Sequence, residues 1–544
     1  MKRFYVRIGE RQVHVRSLGE GPTVVLLHQS PKSSQELVPL MEVLSRDFHV
    51  LAPDTPGYGL SDPLAPSDEE PGIDDFVDAL ARLFDALGLG CVPLFGTHTG
   101  AIQAVRFAVR YPHKVHSLVA NGVLINDAQE RADLVQHYFP RFEPHWDGSH
   151  LPWLWSRLLD QYTFFPWYAR SPDKRFSWPA SLEEMDLSAL EFLQAGDNYR
   201  AAYRAVVDYA IADDLARLSV PSCLLVAQPD PLSESVADYP ALPDCVAVQV
   251  VPEFADIAAA TQQFLRAQAP CETVSLPGAP SPPGGVYRRF VHTALGNVHL
   301  RAAGKAAARR PVLCLHEPGA SSRSCIELMG AMAPLRHLIA PDLPGHGDTD
   351  VSGLCSVEEM ASFVEKLLDD LGLDSVDVVT LGASWTYGAA LVKSIPERVA
   401  GIAFCNPDVV SNAQVLQQSL PDLAPDAAGS HLQRAWFYLR DKQLFFPWSE
   451  RGEDNIIHGL VRVTSRRLHE QLVDLLKSRS SADECLRACW SVPIDRLSAC
   501  SRATLLAYAW HPVHGVAAIP EVLPDEPYRW GPAVEQALHR SAAQ

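Results

Sequence analysis

Two rhythms of apolar residues alternate along this chain. Short continuous runs read as strands covered on both faces: VVLLH at Val24–His28, HVLAPD at His49–Asp54, CVPLFG at Cys91–Gly96, SLVANGV at Ser117–Val123 and CLLVAQPD at Cys223–Asp230. Between them lie stretches with apolar residues at helical spacing, at Glu36–Arg46, at Ile73–Leu89 with its closing Gly88, and at Ala101–Pro112. Strand–helix alternation with short connections predicts a mostly parallel sheet flanked by helices, an α/β fold. From about 125 to 217 the rhythm gives way to a Trp- and Phe-rich helical insertion, and again from about 409 to 498.

The pattern also repeats. VVLLHQSPKSS at Val24–Ser34 returns as VLCLHEPGASS at Val312–Ser322, and APDTPGYGLSD at Ala52–Asp62 returns as APDLPGHGDTD at Ala340–Asp350, both 288 residues on. Gly148–Leu151 recurs at Gly429–Leu432, and Phe164–Trp167 at Phe445–Trp448, both 281 residues on. Four matches in one order imply two tandem domains, 1–270 and 286–544, joined by a Pro/Gly-rich linker at 271–285. Each domain carries one of the helical insertions, at about 125–217 and about 409–498. A fused homodimer has a self-complementary interface, so the halves are expected to form an intramolecular pseudo-dimer.

Composition narrows the classes. The net charge of −19 gives no whole-protein pull toward nucleic acid or an anionic membrane. No apolar run approaches the roughly 20 residues of a membrane span. The N-terminal MKRFYVRIGERQVHV alternates apolar and charged residues and lacks a signal-peptide core. Eleven scattered cysteines without a Cys-x-x-Cys pair fit free thiols, a reducing compartment and a cytoplasmic protein. Without a P-loop or a strand-associated Gly-x-Gly-x-x-Gly no cofactor is expected, and no histidine pairing suggests a metal.

Each half resembles an α/β-hydrolase with a helical cap. The resemblance rests on LLH and CLH at a strand end, on the Asp-x-Pro-Gly-x-Gly turns at Asp54–Gly59 and Asp342–Gly347, and on the strand–turn–helix at Gly96–Gly100. It implies a nucleophile elbow, small-x-Ser-x-small, but the first elbow reads Gly96-Thr97-His98-Thr99-Gly100. His98 stands where the family carries serine. In the second half Gly382-Ala383-Ser384-Trp385-Thr386 looks like a serine elbow. The ungapped repeat nevertheless sets Gly382 opposite His98 and Ser384 opposite Gly100, 284 residues apart. A nucleophilic Ser384 requires two compensating indels.

By the same resemblance Asp230 takes the family's acid position, His511 takes it in the second half, and His514 follows nearby. Neither half has a histidine after its last strand, so neither holds a standard triad. The backbone N–H groups of Gln29 and Thr99 are the implied oxyanion donors. His28, Thr97, His150 and Trp155 are further candidates for the pocket, although His28 and His316 stand where the family often has a structural histidine. Trp146, Trp153, Trp155, Trp167 and Trp178 suggest an apolar roof over the first pocket. The expected function is hydrolysis, or related acid–base chemistry, of a small partly hydrophobic ester, amide or carbonyl compound by His98 with Asp230. The alternatives are a serine hydrolase using Ser384 with His511 or His514, and a non-catalytic binding protein.

Overall fold

The computed structural model describes residues 1–544 except 177–180, 269–284, 306–308, 409–412, 458–462, 494–495, 497–502, 509–520, 524–528 and 544. The chain divides into two compact units, Met1–Glu143 with Trp153–Ser281, and Pro144–Pro152 with Pro282–Gln544. Most of the expected linker lies outside the described residues, as do His511, His514 and Trp178.

In the first unit, β1 Lys2–Ile8, β2 Arg11–Leu18, β3 Thr23–Leu27, β4 His49–Pro53, β5 Val92–Thr97, β6 Val115–Asn121, β7 Ser222–Ala227 and β8 Val246–Val251 form one sheet. Its order is β1-β2-β4-β3-β5-β6-β7-β8. From β4 to β8 neighbours run parallel, while β2 pairs antiparallel with both β1 and β4. The second unit repeats this plan with β9 Val286–Thr293, β10 Gly296–Ala303, β11 Val312–Leu315, β12 Leu338–Pro341, β13 Val376–Leu381, β14 Val399–Cys405, β15 Ala503–Tyr508 and β16 Glu521–Leu523. Its order is β16-β15-β14-β13-β11-β12-β10-β9. Each domain is therefore an α/β sheet flanked by helices.

The continuous apolar runs have a simple cause. On β3, Val24 and Leu26 pack in one core cluster and Val25 and Leu27 in the other. Successive side chains point to opposite faces, and both faces are covered, so every position must be apolar. The N-terminal alternation is a β1–β2 hairpin. The stretch expected as one helix at Glu36–Arg46 is a 3-10 turn, Ser34–Leu37, followed by a short helix, Val38–Leu44.

The repeated Asp-x-Pro-Gly-x-Gly turn is held by its aspartate. Asp54 accepts hydrogen bonds from His14 Nδ1 (2.8 Å), the Ser34 N–H (2.8 Å) and the Leu60 N–H (2.8 Å). A Cβ at Gly59 would lie 2.2 Å from Asp54 Oδ2, and one at Gly347 would lie 2.1 Å from Asp342 Oδ2. Both turns thus require glycine beneath a buried carboxylate. Burial drives His14 down to about 4, against the pull of Asp54, so this pair is structural. His299, Asp342 and Asp348 are the one group close enough to suggest a metal among the described residues, but Lys477 Nζ already donates to Asp348 Oδ1 at 2.7 Å.

The first cap contributes helices Ala128–His137, His150–Gln161, Leu182–Ala195 and Tyr199–Val207. The second contributes Ala413–Gln418, Ser430–Leu444 and Ser465–Trp490. No described helix is long and apolar enough to cross a membrane.

Candidate active site

The first elbow is built by two close approaches. A Cβ on Gly96 would sit 2.3 Å from the Gly100 carbonyl oxygen, and one on Gly100 would sit 2.5 Å from that of Leu27. Only glycine lets β5, β3 and the helix Thr99–Arg110 come this near. His98, at the apex, has φ 47° and ψ −110°, in a region costly for a residue with a Cβ. Its backbone is pinned on both sides, since its N–H donates to Asn121 O (2.8 Å) and its carbonyl accepts from the Ala101 N–H (2.9 Å).

The ring is 19% exposed and faces a cavity of about 130 Å³, a volume that takes one aromatic ring. Its Nε2 lies 2.8 Å from Asp230 Oδ2, at the start of the turn after β7. Asp230 Oδ1 accepts from the Leu232 N–H at 2.9 Å. The other ring nitrogen, Nδ1, lies 2.8 Å from Gln29 Oε1. Gln29 is itself clamped by Glu36, which accepts from its backbone N–H (2.6 Å) and its Nε2 (2.8 Å). Lys32 Nζ stands 3.8 Å from Glu36 Oε2 and also lines the cavity.

Burial alone would disfavour an imidazolium at His98, but Asp230 and Glu36 outweigh it and hold the ring above the ordinary histidine value. Burial likewise pushes Asp230 up, and His98 with the Leu232 N–H more than reverses this. A buried aspartate and a histidine at hydrogen-bond distance form an ion pair able to hold or move one proton.

The structure sorts the candidate residues. Gln29, Thr99, His98 and Asp230 line the cavity together. The Gln29 N–H, one implied oxyanion donor, is already taken by Glu36, so half of that hole is filled. Four other candidates lie outside the wall. His28 uses Nδ1 on Gln29 O (2.9 Å) and Nε2 on the Thr55 N–H (2.9 Å), and His316 is held in the same way by Glu317 O and the Leu343 N–H. Thr97 Oγ1 accepts from Asn121 Nδ2, 3.0 Å away on β6. Trp155 is buried away from the cavity wall. His150 belongs to the segment grouped with the second unit, its ring 4.7 Å from that of Trp436.

Lys32, Ser30, Tyr138, Tyr162 and Tyr203 line the cavity without having been singled out. For the strand-end loop, the signal was where the repeats disagree: Gln29, Lys32 and Glu36 stand opposite Glu317, Ala320 and Ser324.

Ser384 does not sit at an elbow apex. Gly382 holds the positive φ, 56°. Ser384 is fully buried, its hydroxyl placed on Leu315 O (2.9 Å) and Leu381 O (2.8 Å).

The model of the α/β hydrolase fold family matches residues 22–161 and 310–444, about half of the chain. The chain belongs to that family. Among α/β-hydrolase relatives, it is 26% identical over 229 residues to the (E)-2-((N-methylformamido)methylene)succinate hydrolase of Acinetobacter baylyi, covering 41% of this chain and 78% of that protein. It is 34% identical to the 2-hydroxy-6-oxo-2,4-heptadienoate hydrolase of Pseudomonas putida over 22% of this chain and 44% of that one. It is 36% identical to the 2-(acetamidomethylene)succinate hydrolase of Mesorhizobium japonicum over 21% of this chain and 40% of that one. The last two matches thus span less than half of the relatives' lengths. The enol-lactonase structure from Burkholderia xenovorans LB400 matches 48% of this chain and 99% of its own at 18% identity, TM-score 0.37.

Proposed function

We propose that the first unit hydrolyses, or carries out closely related acid–base chemistry on, a small partly hydrophobic ester, amide or carbonyl compound. His98 moves the proton, and Asp230 orients and charges its ring. The observation that carries this reading is the elbow itself: a strained backbone presents an imidazole, paired 2.8 Å from a buried carboxylate, to an apolar cavity. A strained residue at the mouth of a pocket is a hypothesis of function with a physical basis. With no hydroxyl at the apex, water delivered by acid–base catalysis replaces the covalent step of a serine enzyme. Two relatives named as hydrolases of an N-methylformamido-methylene and an acetamidomethylene succinate support amide and carbonyl chemistry within this fold.

Two alternatives are weaker. Ser384 has no access to a ligand because its hydroxyl is buried in backbone bonds. Ligand binding without turnover is favoured by one observation, the capping of the Gln29 N–H by Glu36.

The test is a panel of small esters, amides and enol-lactones, followed by His98→Ala on the first substrate found. Loss of the proton-transfer group should lower the rate by about 10²–10⁴-fold with the fold intact by circular dichroism. A fluorophosphonate adduct at Ser384, or full activity in His98→Ala, would overturn the reading. Saturable binding without turnover would favour the binding protein.

A further inference from the structure

Both nitrogens of His98 face hydrogen-bond partners, and one of those partners can only accept. A carboxylate offers no donor. Glu36 therefore fixes the Gln29 amide with its NH₂ and backbone N–H turned toward the two carboxylate oxygens. The amide oxygen is left pointing at His98 Nδ1, 2.8 Å away. An acceptor opposite Nδ1 calls for a proton on Nδ1, and the Asp230 carboxylate opposite Nε2 calls for one there too. The charged groups facing the ring are Asp230, Glu36 and Lys32.

We propose that Glu36 and Gln29 are positioning residues that keep the resting His98 as an imidazolium with its Nδ1–H held on Gln29 Oε1 at the cavity wall, and that the cavity receives an oxygen anion, carboxylate or enolate, carried on an apolar molecule of about one ring, which takes the place of that amide oxygen. The assignment rests on the His98–Asp230 reading above. It sets the direction of the first step, because an imidazolium gives a proton rather than takes one. The ligand oxygen displaces Gln29 Oε1 and accepts the Nδ1 proton, so an O–H bond forms as the N–H bond breaks. The ring becomes neutral and keeps its Nε2–H on Asp230. Its Nδ1 lone pair then faces the ligand, ready to take a proton from water in the following step. Lys32, whose Nζ stands 3.8 Å from Glu36 Oε2, lies at the same wall. The second unit has neither part of the device, since Glu317 replaces Gln29 and Gly382 replaces His98.

Full-length protein carrying ¹³C,¹⁵N-histidine tests this without any substrate, so its outcome is separate from the activity of His98→Ala. His98 should titrate above the ordinary histidine value near 6.5, with both nitrogens protonated at neutral pH. Gln29→Leu should bring the titration down by about one unit, the loss of a hydrogen bond to a charged group, and Glu36→Gln should bring it down as well. His14, locked on Asp54, should keep its signals in both variants and so report an intact fold. Added benzoate should shift the His98 Nδ1 resonance far more than benzamide of the same shape. A neutral His98 with bare Nδ1 at pH 7, or a titration unmoved in both variants, would overturn the positioning role. Equal responses to benzoate and benzamide, or none, would overturn the anion assignment.

Discussion

The two elbows share one backbone and differ in what stands on it. His98 and Gly382 both take a positive φ, 47° and 56°. Gly100 and Ser384 both lie against the end of the neighbouring strand, the glycine by close approach to Leu27 O and the serine by a hydrogen bond to Leu315 O. In the first unit an imidazole fills the space above the apex. In the second the apex has no side chain, and Glu317 fills the space instead, its Oε2 2.5 Å from where a Cβ on Gly382 would lie. Lys442 Nζ, from the helix Ser430–Leu444, donates to Glu317 at 2.9 Å. The next strand has adjusted too. Gly122 leaves room for the His98 ring, whose Cδ2 is 2.4 Å from a built Cβ, whereas Asn406 carries a side chain at the matching place. The lesson is that an elbow is a scaffold, and its chemistry lies in the few side chains around the apex.

Replacing the partner of the imidazole should break the comparison most. Asp230→Asn removes the charge that holds His98 protonated, and turnover should fall by about 10²–10⁴-fold. Steady-state kinetics across pH would check this, and an unchanged profile would remove Asp230 from the site.

Glu191 offers a sharper contrast through pH. Burial lifts it to about 7, although Ser33 donates to it from both N–H (3.0 Å) and Oγ (2.5 Å). Burial raises its counterpart Asp474 too, but there Arg323, a cation the first unit lacks at that place, lies 3.6 Å away and pulls it back down. A folded value above the unfolded one, near 4.3, means that the folded state binds the proton more tightly. That contribution is complete below about pH 4 and is lost as pH rises through about 7. Glu191→Gln keeps an acceptor without the charge, and should raise stability by about 3 kcal/mol at pH 8 and by little at pH 4. Denaturant midpoints at the two pH values measure it, and equal changes at both would refute the linkage.

Gly122→Ala tests the space around the ring. A Cβ at positive φ, pressed against His98, should cost about 1–3 kcal/mol and lower activity along with stability. Asn406→Gly in the second unit should change stability far less, by under about 1 kcal/mol in the same melting experiment. Smallest of all is Ser384→Ala. Losing hydroxyl bonds to two carbonyls should cost about 1 kcal/mol in a melting experiment, with turnover within a few-fold of wild type. A large loss of rate would return Ser384 to the mechanism.

Much of the fold was legible because burial leaves a period in the sequence. Strands covered on both faces must be apolar at every position, so Val24–Leu27 and its repeat Val312–Leu315 declared themselves. The turn glycines repeated because Asp54 and Asp342 leave no room for a Cβ at Gly59 and Gly347. The hairpin of Lys2–Ile8 and Arg11–Leu18 was harder to see, since its apolar residues are interleaved with arginines, a glutamine and a histidine.

The pair His98 and Asp230 could be named from the order of elements, because an elbow and a strand end occupy fixed places in such a sheet. The rest of the pocket could not. Thr97 and Thr99 differ by two positions, yet one is tied to Asn121 on the neighbouring strand and the other lines the cavity. His150 and Trp155 share a helix with Gln161, and only Gln161 reaches the wall. Glu36 acts on His98 from 62 residues away through one amide. Sequence by itself therefore determined the sheets, the turns and the exceptional residue at the elbow, all of which follow from local period and steric exclusion. Tertiary structure alone decided which side chains converge on that residue and how its proton is held, because convergence depends on where non-contiguous loops and cap helices come to rest.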